Sequence, residues 1–303
     1  MRKLLLCLLT LCLLFASMNA FSASSPANRL VETSWLQSHL QDKNLVILDV
    51  RKEQKDYLAG HVPGALFVPW GKVRRSQIRG DYALEYALPD PTEITELAQS
   101  LGIANESTVV VTSDWSSISS MAFATRLAWT LQYYGIDALV LNGGVSKWSK
   151  EKLGLEQSVP SVTHSAFKIV SVNPHILATS VEVEPALKAG NSAIIDARAP
   201  EYYKGEKKKD YVLAAGHIPN AINIPGAELL TASGVLKSPR ELERIFNDSG
   251  VTKDKDIIVY CDSGHLSTST WFVLANVLGY PNVRQFDSSL HEWMQNKQHA
   301  MSK

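Results

Sequence analysis

Short apolar runs alternate with stretches of helical spacing along most of the chain. Leu45-Val46-Ile47-Leu48, Val109-Val110-Val111 and Ala138-Leu139-Val140-Leu141 each read as a buried strand. Between them, Thr92 to Leu101 places Ile94, Leu97, Ala98 and Leu101 on one helical face, and a second helix is predicted from Ser119 to Tyr134, closed by Gly135. The same order returns later. It runs through strand Ala193-Ile194-Ile195, helix Pro239 to Phe246, strand Ile257 to Tyr260, helix Ser267 to Leu278 closed by Gly279, and strand Asn282 to Phe286. Apolar strands alternating with helices predict an α/β fold, with a mainly parallel central sheet flanked by helices in each half.

Polar motifs show that the halves are two copies of one domain. Leu48-Asp49-Val50-Arg51 returns as Ile195-Asp196-Ala197-Arg198, and Gly60-His61-Val62-Pro63-Gly64-Ala65 as Gly216-His217-Ile218-Pro219-Asn220-Ala221. Val68-Pro69 returns as Ile224-Pro225, and Asn142 to Trp148 loosely as Asp287 to Trp293. So long a period excludes a solenoid and implies tandem domains. The expected boundaries are 28–150 for the first domain, 151–173 for a linker and 174–298 for the second. Pro160, Ser161, Thr163, Ser165 and Pro174 mark the linker as irregular. The charged run Lys204-Gly205-Glu206-Lys207-Lys208-Lys209-Asp210 is extra in the second copy and reads as a solvated loop; the alternative is a basic lip that attracts an anion.

Ahead of the repeat, Arg2 and Lys3 precede an apolar run from Leu4 to Phe15, broken only by Thr10, and small residues lead to Ala20 and Ser22. This is the layout of a cleaved secretory signal, expected over residues 1–23, and it predicts a periplasmic or secreted protein. The run is short for a retained anchor, which needs about 20 apolar residues, and no later segment is suited to span a bilayer. The 30 basic and 30 acidic residues balance, so no nucleic-acid partner is implied. A monomer is expected.

Of the three cysteines, Cys7 and Cys12 lie in the signal segment, which leaves Cys261 without an internal disulfide partner. It ends an apolar strand and opens the polar loop Cys261-Asp262-Ser263-Gly264-His265-Leu266, before the helix at Ser267. Ligand sites in parallel sheets gather at the carboxyl ends of strands. Gly264 permits a turn that aims the loop N–H groups inward, and the helix start adds positive potential. Both favour a nucleophilic thiolate and would cradle a persulfide; a buried, inert cysteine is the alternative. His265 is expected to face solvent, with a base for Cys261 as the other reading. His61 and His217 are expected to bond to backbone, and Asp49 with Arg51 and Asp196 with Arg198 to fix loops as charge pairs. Arg198 is also a candidate to orient substrate. Trp115, Trp129, Trp148 and Trp293 read as core or interdomain packing.

Asp-x-Arg, Gly-His-Ile-Pro-x-Ala, a Cys-x-x-Gly loop before a helix and a closing Gly-Gly-x-x-x-Trp element together resemble the rhodanese (thiosulfate sulfurtransferase) family, over roughly residues 28–298. The resemblance implies an enzyme that moves sulfur from a donor such as thiosulfate or 3-mercaptopyruvate to a thiol or cyanide, through a persulfide on catalytic Cys261. It implies no metal or organic cofactor. It assigns substrate binding to Asp262, Ser263, Gly264, His265, Leu266 and Ser267, with Arg198 beside them. Tandem members commonly keep the cysteine only in the second copy, and here the first copy offers Ser113 and Asp114 instead. Three departures stand out. Asp262 follows the nucleophile, where its charge opposes an anionic donor. Leu266 takes a position that often holds Thr or Arg. Ala199-Pro200-Glu201-Tyr202-Tyr203 lacks the substrate arginine of mercaptopyruvate sulfurtransferases, for which Lys207 to Lys209 are candidate replacements. A rhodanese scaffold that carries sulfur or binds partners without turnover is the alternative function. Phosphatase or arsenate reductase loops end in an arginine, and none lies between Asp262 and Ser269.

Overall fold

The computed structural model describes residues 28–303. The expected signal, with Cys7 and Cys12, lies outside the described residues. In chain order the first domain contains β1 (Leu30–Val31), β2 (Leu45–Arg51), β3 (Leu66–Pro69), β4 (Arg75–Arg79), β5 (Tyr82–Ala87), β6 (Thr108–Thr112) and β7 (Ala138–Leu141). The second contains β8 (Leu177–Ala178), β9 (Ser192–Asp196), β10 (Ile222–Asn223), β11 (Asp256–Tyr260) and β12 (Val283–Phe286). The helices are α1 (Thr33–His39), α2 (Gln54–Leu58), α3 (Pro91–Ser100), α4 (Ile118–Tyr133) and α5 (Gly144–Lys150) in the first domain. In the second they are α6 (Ser180–Ala186), α7 (Pro200–Tyr203), α8 (Pro239–Asp248), α9 (Ser267–Phe272) and α10 (Ser289–Trp293).

Each domain has one five-stranded sheet, ordered β1-β7-β6-β2-β3 and β10-β9-β11-β12-β8. Read from the opposite edge, the second order is the first, strand for strand, and every pairing within both sheets is parallel. The internal repeat is therefore a repeat of topology. Helix starts carry their own signals. Asp90 and Ser238 each form a capping box one residue before a proline, with Glu93 and Glu241 as return partners. The helix expected to continue to Leu278 changes pitch, because Val273–Val277 forms a wider π-turn after α9.

Alternation along the central strands divides the core. Leu48, Val111, Ile195 and Val259 face a shared core, into which α4 and α9 insert Leu127, Trp129, Trp271 and Phe272. Their neighbours Ile47 and Val110 face a second cluster with Leu36 and Trp148, and Ile194 and Ile258 face a third with Val183 and Trp293. Each large side chain fully buried this way contributes about 1.5–3 kcal/mol. Trp115 is buried in the shared core as well, so all four tryptophans pack as expected.

The chain between α5 and Pro174 has no helix or strand and runs along the first domain, where the Ser165 amide donates to Gln99 O at 3.0 Å. The run from Lys204 to Asp210 is a largely exposed loop. No helix of the described residues is long and apolar enough to cross a membrane.

Candidate active site

Cys261 directly follows β11, the middle strand of the second sheet. The parallel arrangement puts it at the carboxyl edge, beside Ala197, whose amide donates to Tyr260 O at 3.0 Å. Its side chain is 3% exposed. The Ser267 hydroxyl donates to Cys261 Sγ at 3.4 Å while it accepts from Gln285 Nε2 at 2.7 Å. The Cys261 amide donates to Ser289 Oγ at 3.1 Å. The amides of Asp262 to Leu266 have no acceptor among the described residues. Gly264 holds φ +69°, and a Cβ there would meet Arg126 Nη1 and Ser288 N, each at 3.0 Å. The loop thus curls around the sulfur with its N–H groups unclaimed, an arrangement that stabilises anionic sulfur.

Asp262 turns away from a repulsive role. Its carboxylate takes Arg198 Nη1 at 3.0 Å, and Arg198 also grips Asp196 (Nη2 to Oδ2, 2.6 Å) and Gly216 O (2.7 Å). Burial opposes the Arg198 charge, but the hydrogen bonds to Asp196 and both nearby carboxylates outweigh it and hold the guanidinium above its ordinary pKa. Burial also raises the Asp262 carboxyl above the usual range, with Arg198 pulling the other way. Asp196, Arg198 and Asp262 form one buried charge cluster, so the Arg198 fork is committed to protein acceptors. Asp49 and Arg51 repeat the pair in the first domain at 2.6 Å.

His265 corrects one expectation. It is half-buried, and its ring packs inward rather than standing in solvent. Its ring stacks on Phe123 (4.9 Å between centroids) and lies 4.4 Å from Trp70, both in the first domain. Its Nε2 is buried without a partner. Burial, with Arg126 and Arg74 adding like charge, pushes its pKa down to about 3, so it is neutral at physiological pH. Its ring makes no hydrogen bond to Cys261 among the described residues. Ser263 is buried against Tyr211, and Leu266 is half-buried at the start of α9. His61 and His217 bond to backbone carbonyls of Val62, Ser158 and Tyr203, as expected.

Several supporting residues come from distant segments. Arg126 on α4 donates to Gly264 O at 2.9 Å and pairs with buried Asp287 at 2.8 Å, so the first domain holds the cysteine loop. Thr125 on the same helix lies 2.9 Å from Thr268 Oγ1. Ser288 and Ser289 adopt φ +57° and +50°, a left-handed conformation that costs about 1–3 kcal/mol per non-glycine residue. Their counterparts in the first copy are Gly143 and Gly144, and a Cβ at Gly144 would stand 2.4 Å from Ser113 O. Serine at 289 supplies the hydroxyl that meets the Cys261 amide. That repeat mismatch was the available signal for Ser289. In the first copy Ser113 bonds instead to Ser120 O at 2.6 Å, and the indole of Trp115 is buried after it.

Two tandem α/β domains, one with a thiol in an amide-lined loop at the centre of its sheet, define a class of fold and site. The chain belongs to the rhodanese family: the rhodanese-like domain matches residues 32–151 and 179–296. It is similar to the sulfur carrier protein TtuD of Thermus thermophilus, 36% identical over 274 residues that cover 87% of this chain and 93% of that protein. It is 30% identical to the thiosulfate sulfurtransferase of Corynebacterium glutamicum, over 90% of each chain. Among solved structures it resembles SseA from Escherichia coli, described with the rhodanese fold and catalytic mechanism of 3-mercaptopyruvate sulfotransferases. That match has a TM-score of 0.75 and 29% identity and covers 87% of this chain and 99% of SseA.

Proposed function

We propose that the protein is a sulfurtransferase that carries sulfane sulfur on Cys261. The carrying observation is the Cys261 thiol inside a loop whose five following amides are unclaimed, with the Ser267 hydroxyl on the sulfur. Relatives with this domain pair bear sulfurtransferase and sulfur carrier names. The Cys261 thiolate attacks the outer sulfur of a donor. With thiosulfate the S–S bond breaks and sulfite leaves with the electron pair. With 3-mercaptopyruvate the C–S bond breaks and pyruvate leaves as its enolate, which takes a proton from water. An acceptor thiolate or cyanide then attacks the outer persulfide sulfur and returns Cys261 as thiolate, the two half-reactions of covalent catalysis. The loop amides and Ser267 hold the negative sulfur in both states. No step needs a metal or organic cofactor.

Release of sulfite from thiosulfate, or of pyruvate from 3-mercaptopyruvate, in the presence of an acceptor tests the reading. Cys261→Ser is expected to abolish it. Release that survives this substitution refutes the assignment of Cys261.

A further inference from the structure

The sulfur donors that suit Cys261 are anions, yet the arginine beside the loop in its own domain is occupied. Arg198 is bound to Asp196, Asp262 and Gly216. Lys207 pairs with Glu201, Lys208 donates to Val212 O, and Lys209 lies on the Tyr202 ring at 5.2 Å in the exposed loop. A different cation, in the first domain, lies one ring away from the cysteine loop. The Arg74 guanidinium lies 4.9 Å from the Trp70 ring and 4.7 Å from the Tyr86 ring. It is half-buried, with no carboxylate within 4.0 Å and no hydrogen-bond acceptor among the described residues. Arg75, Arg79 and Arg126 close by are all paired with acids. Burial lowers the Arg74 pKa, as expected for a cation without a counter-ion.

Of the two rings that clasp Arg74, one touches the cysteine loop and the other reaches it through Tyr211. Trp70 lies 4.4 Å from His265, and Tyr86 lies 5.0 Å from Tyr211, which packs on Ser263. Arg74 and Tyr86 also line an open hollow of about 930 Å³, whose lining does not include Cys261. An anion can therefore reach Arg74 from solvent through this hollow.

We propose that Arg74 is the anion subsite for the sulfur donor, binding a carboxylate or sulfonate end from the first domain while Cys261 of the second takes the sulfur. This rests on the sulfur-transfer reading above. A guanidinium fork matches either anion with two parallel hydrogen bonds, and stacking on two rings fixes its plane beforehand. The copy without a thiol thus supplies recognition.

Alkylation of Cys261 in the full-length protein tests this without turnover. Iodoacetate and iodoacetamide react alike with a thiol and differ in charge. In Arg74→Gln the ratio of iodoacetate to iodoacetamide rate constants, followed by mass, is expected to fall about tenfold, and Arg74→Lys to keep part of it. In steady state, Arg74→Gln should lower kcat/KM about 10- to 100-fold, chiefly through KM. Loss with 3-mercaptopyruvate alone assigns the site to a carboxylate, and loss with thiosulfate alone to a sulfonate-like group. An unchanged alkylation ratio overturns the proposal and leaves Arg74 a prop for Trp70 and Tyr86. Failure of sulfur transfer itself would leave this ratio readable.

Discussion

Cys261 and Asp262 are chain neighbours held toward opposite partners. The thiol meets the Ser267 hydroxyl and the carboxylate meets Arg198. An acid next to a nucleophile is unfavourable when read from sequence, and a third group removes the conflict: the guanidinium that neutralises Asp262 is itself fixed by Asp196. Ser267 is the residue whose effect on the sulfur is simplest to isolate, because Gln285 leaves its hydroxyl proton free for Cys261. Ser267→Ala removes a hydrogen bond worth about 1 kcal/mol, so the iodoacetamide rate constant of Cys261 should fall about fivefold. An unchanged rate would show that the amides alone sustain the thiolate.

At the scale of elements, the central strands β2, β6, β9 and β11 were legible because both faces are apolar, and their observed ends lie close to those expected. The edge strands β1, β8 and β10 are two residues long and too short to carry a period. The hairpin β4–β5 was missed, although Gly80 and Asp81 sit at its turn, because its residues alternate around polar side chains. The cysteine loop was legible as a unit, with strand, glycine and helix in sequence. Its supports were not, since Arg126, Tyr211, Gln285 and Ser289 are adjacent only after folding. Gly264 ties loop and supports together. Gly264→Ala forces a side chain onto a φ of +69° and against Arg126 and Ser288. It should cost about 1–2 kcal/mol and lower the melting temperature by several degrees, together with transfer activity. A variant as stable and active as the parent would contradict this packing.

Over the whole molecule, the two copies divide labour across one shared core. Arg79 with Glu292 and Arg126 with Asp287 join the domains around the cysteine loop. His265 is the titratable link at this junction. Its folded value of about 3 lies below the ordinary 6.5. Between those values the unfolded chain binds a proton that the folded chain does not, so stability falls as pH drops through that window, by at most about 1.4 kcal/mol per unit. Above it His265 adds no pH dependence. Thermal unfolding should therefore show a steep loss from pH 6.5 to 5 that is shallower in His265→Phe, which keeps the stack on Trp70 and Phe123. Equal slopes would place the acid sensitivity elsewhere.

The central claim is that Cys261 itself holds the travelling sulfur. Its most direct measurement is the mass of the Cys261 peptide after exposure to thiosulfate or 3-mercaptopyruvate, removal of donor, and addition of a thiol or cyanide. The account predicts one added sulfur atom on Cys261, lost stoichiometrically to the acceptor. A Cys261 peptide of unchanged mass, with sulfite or pyruvate nonetheless released, would contradict it.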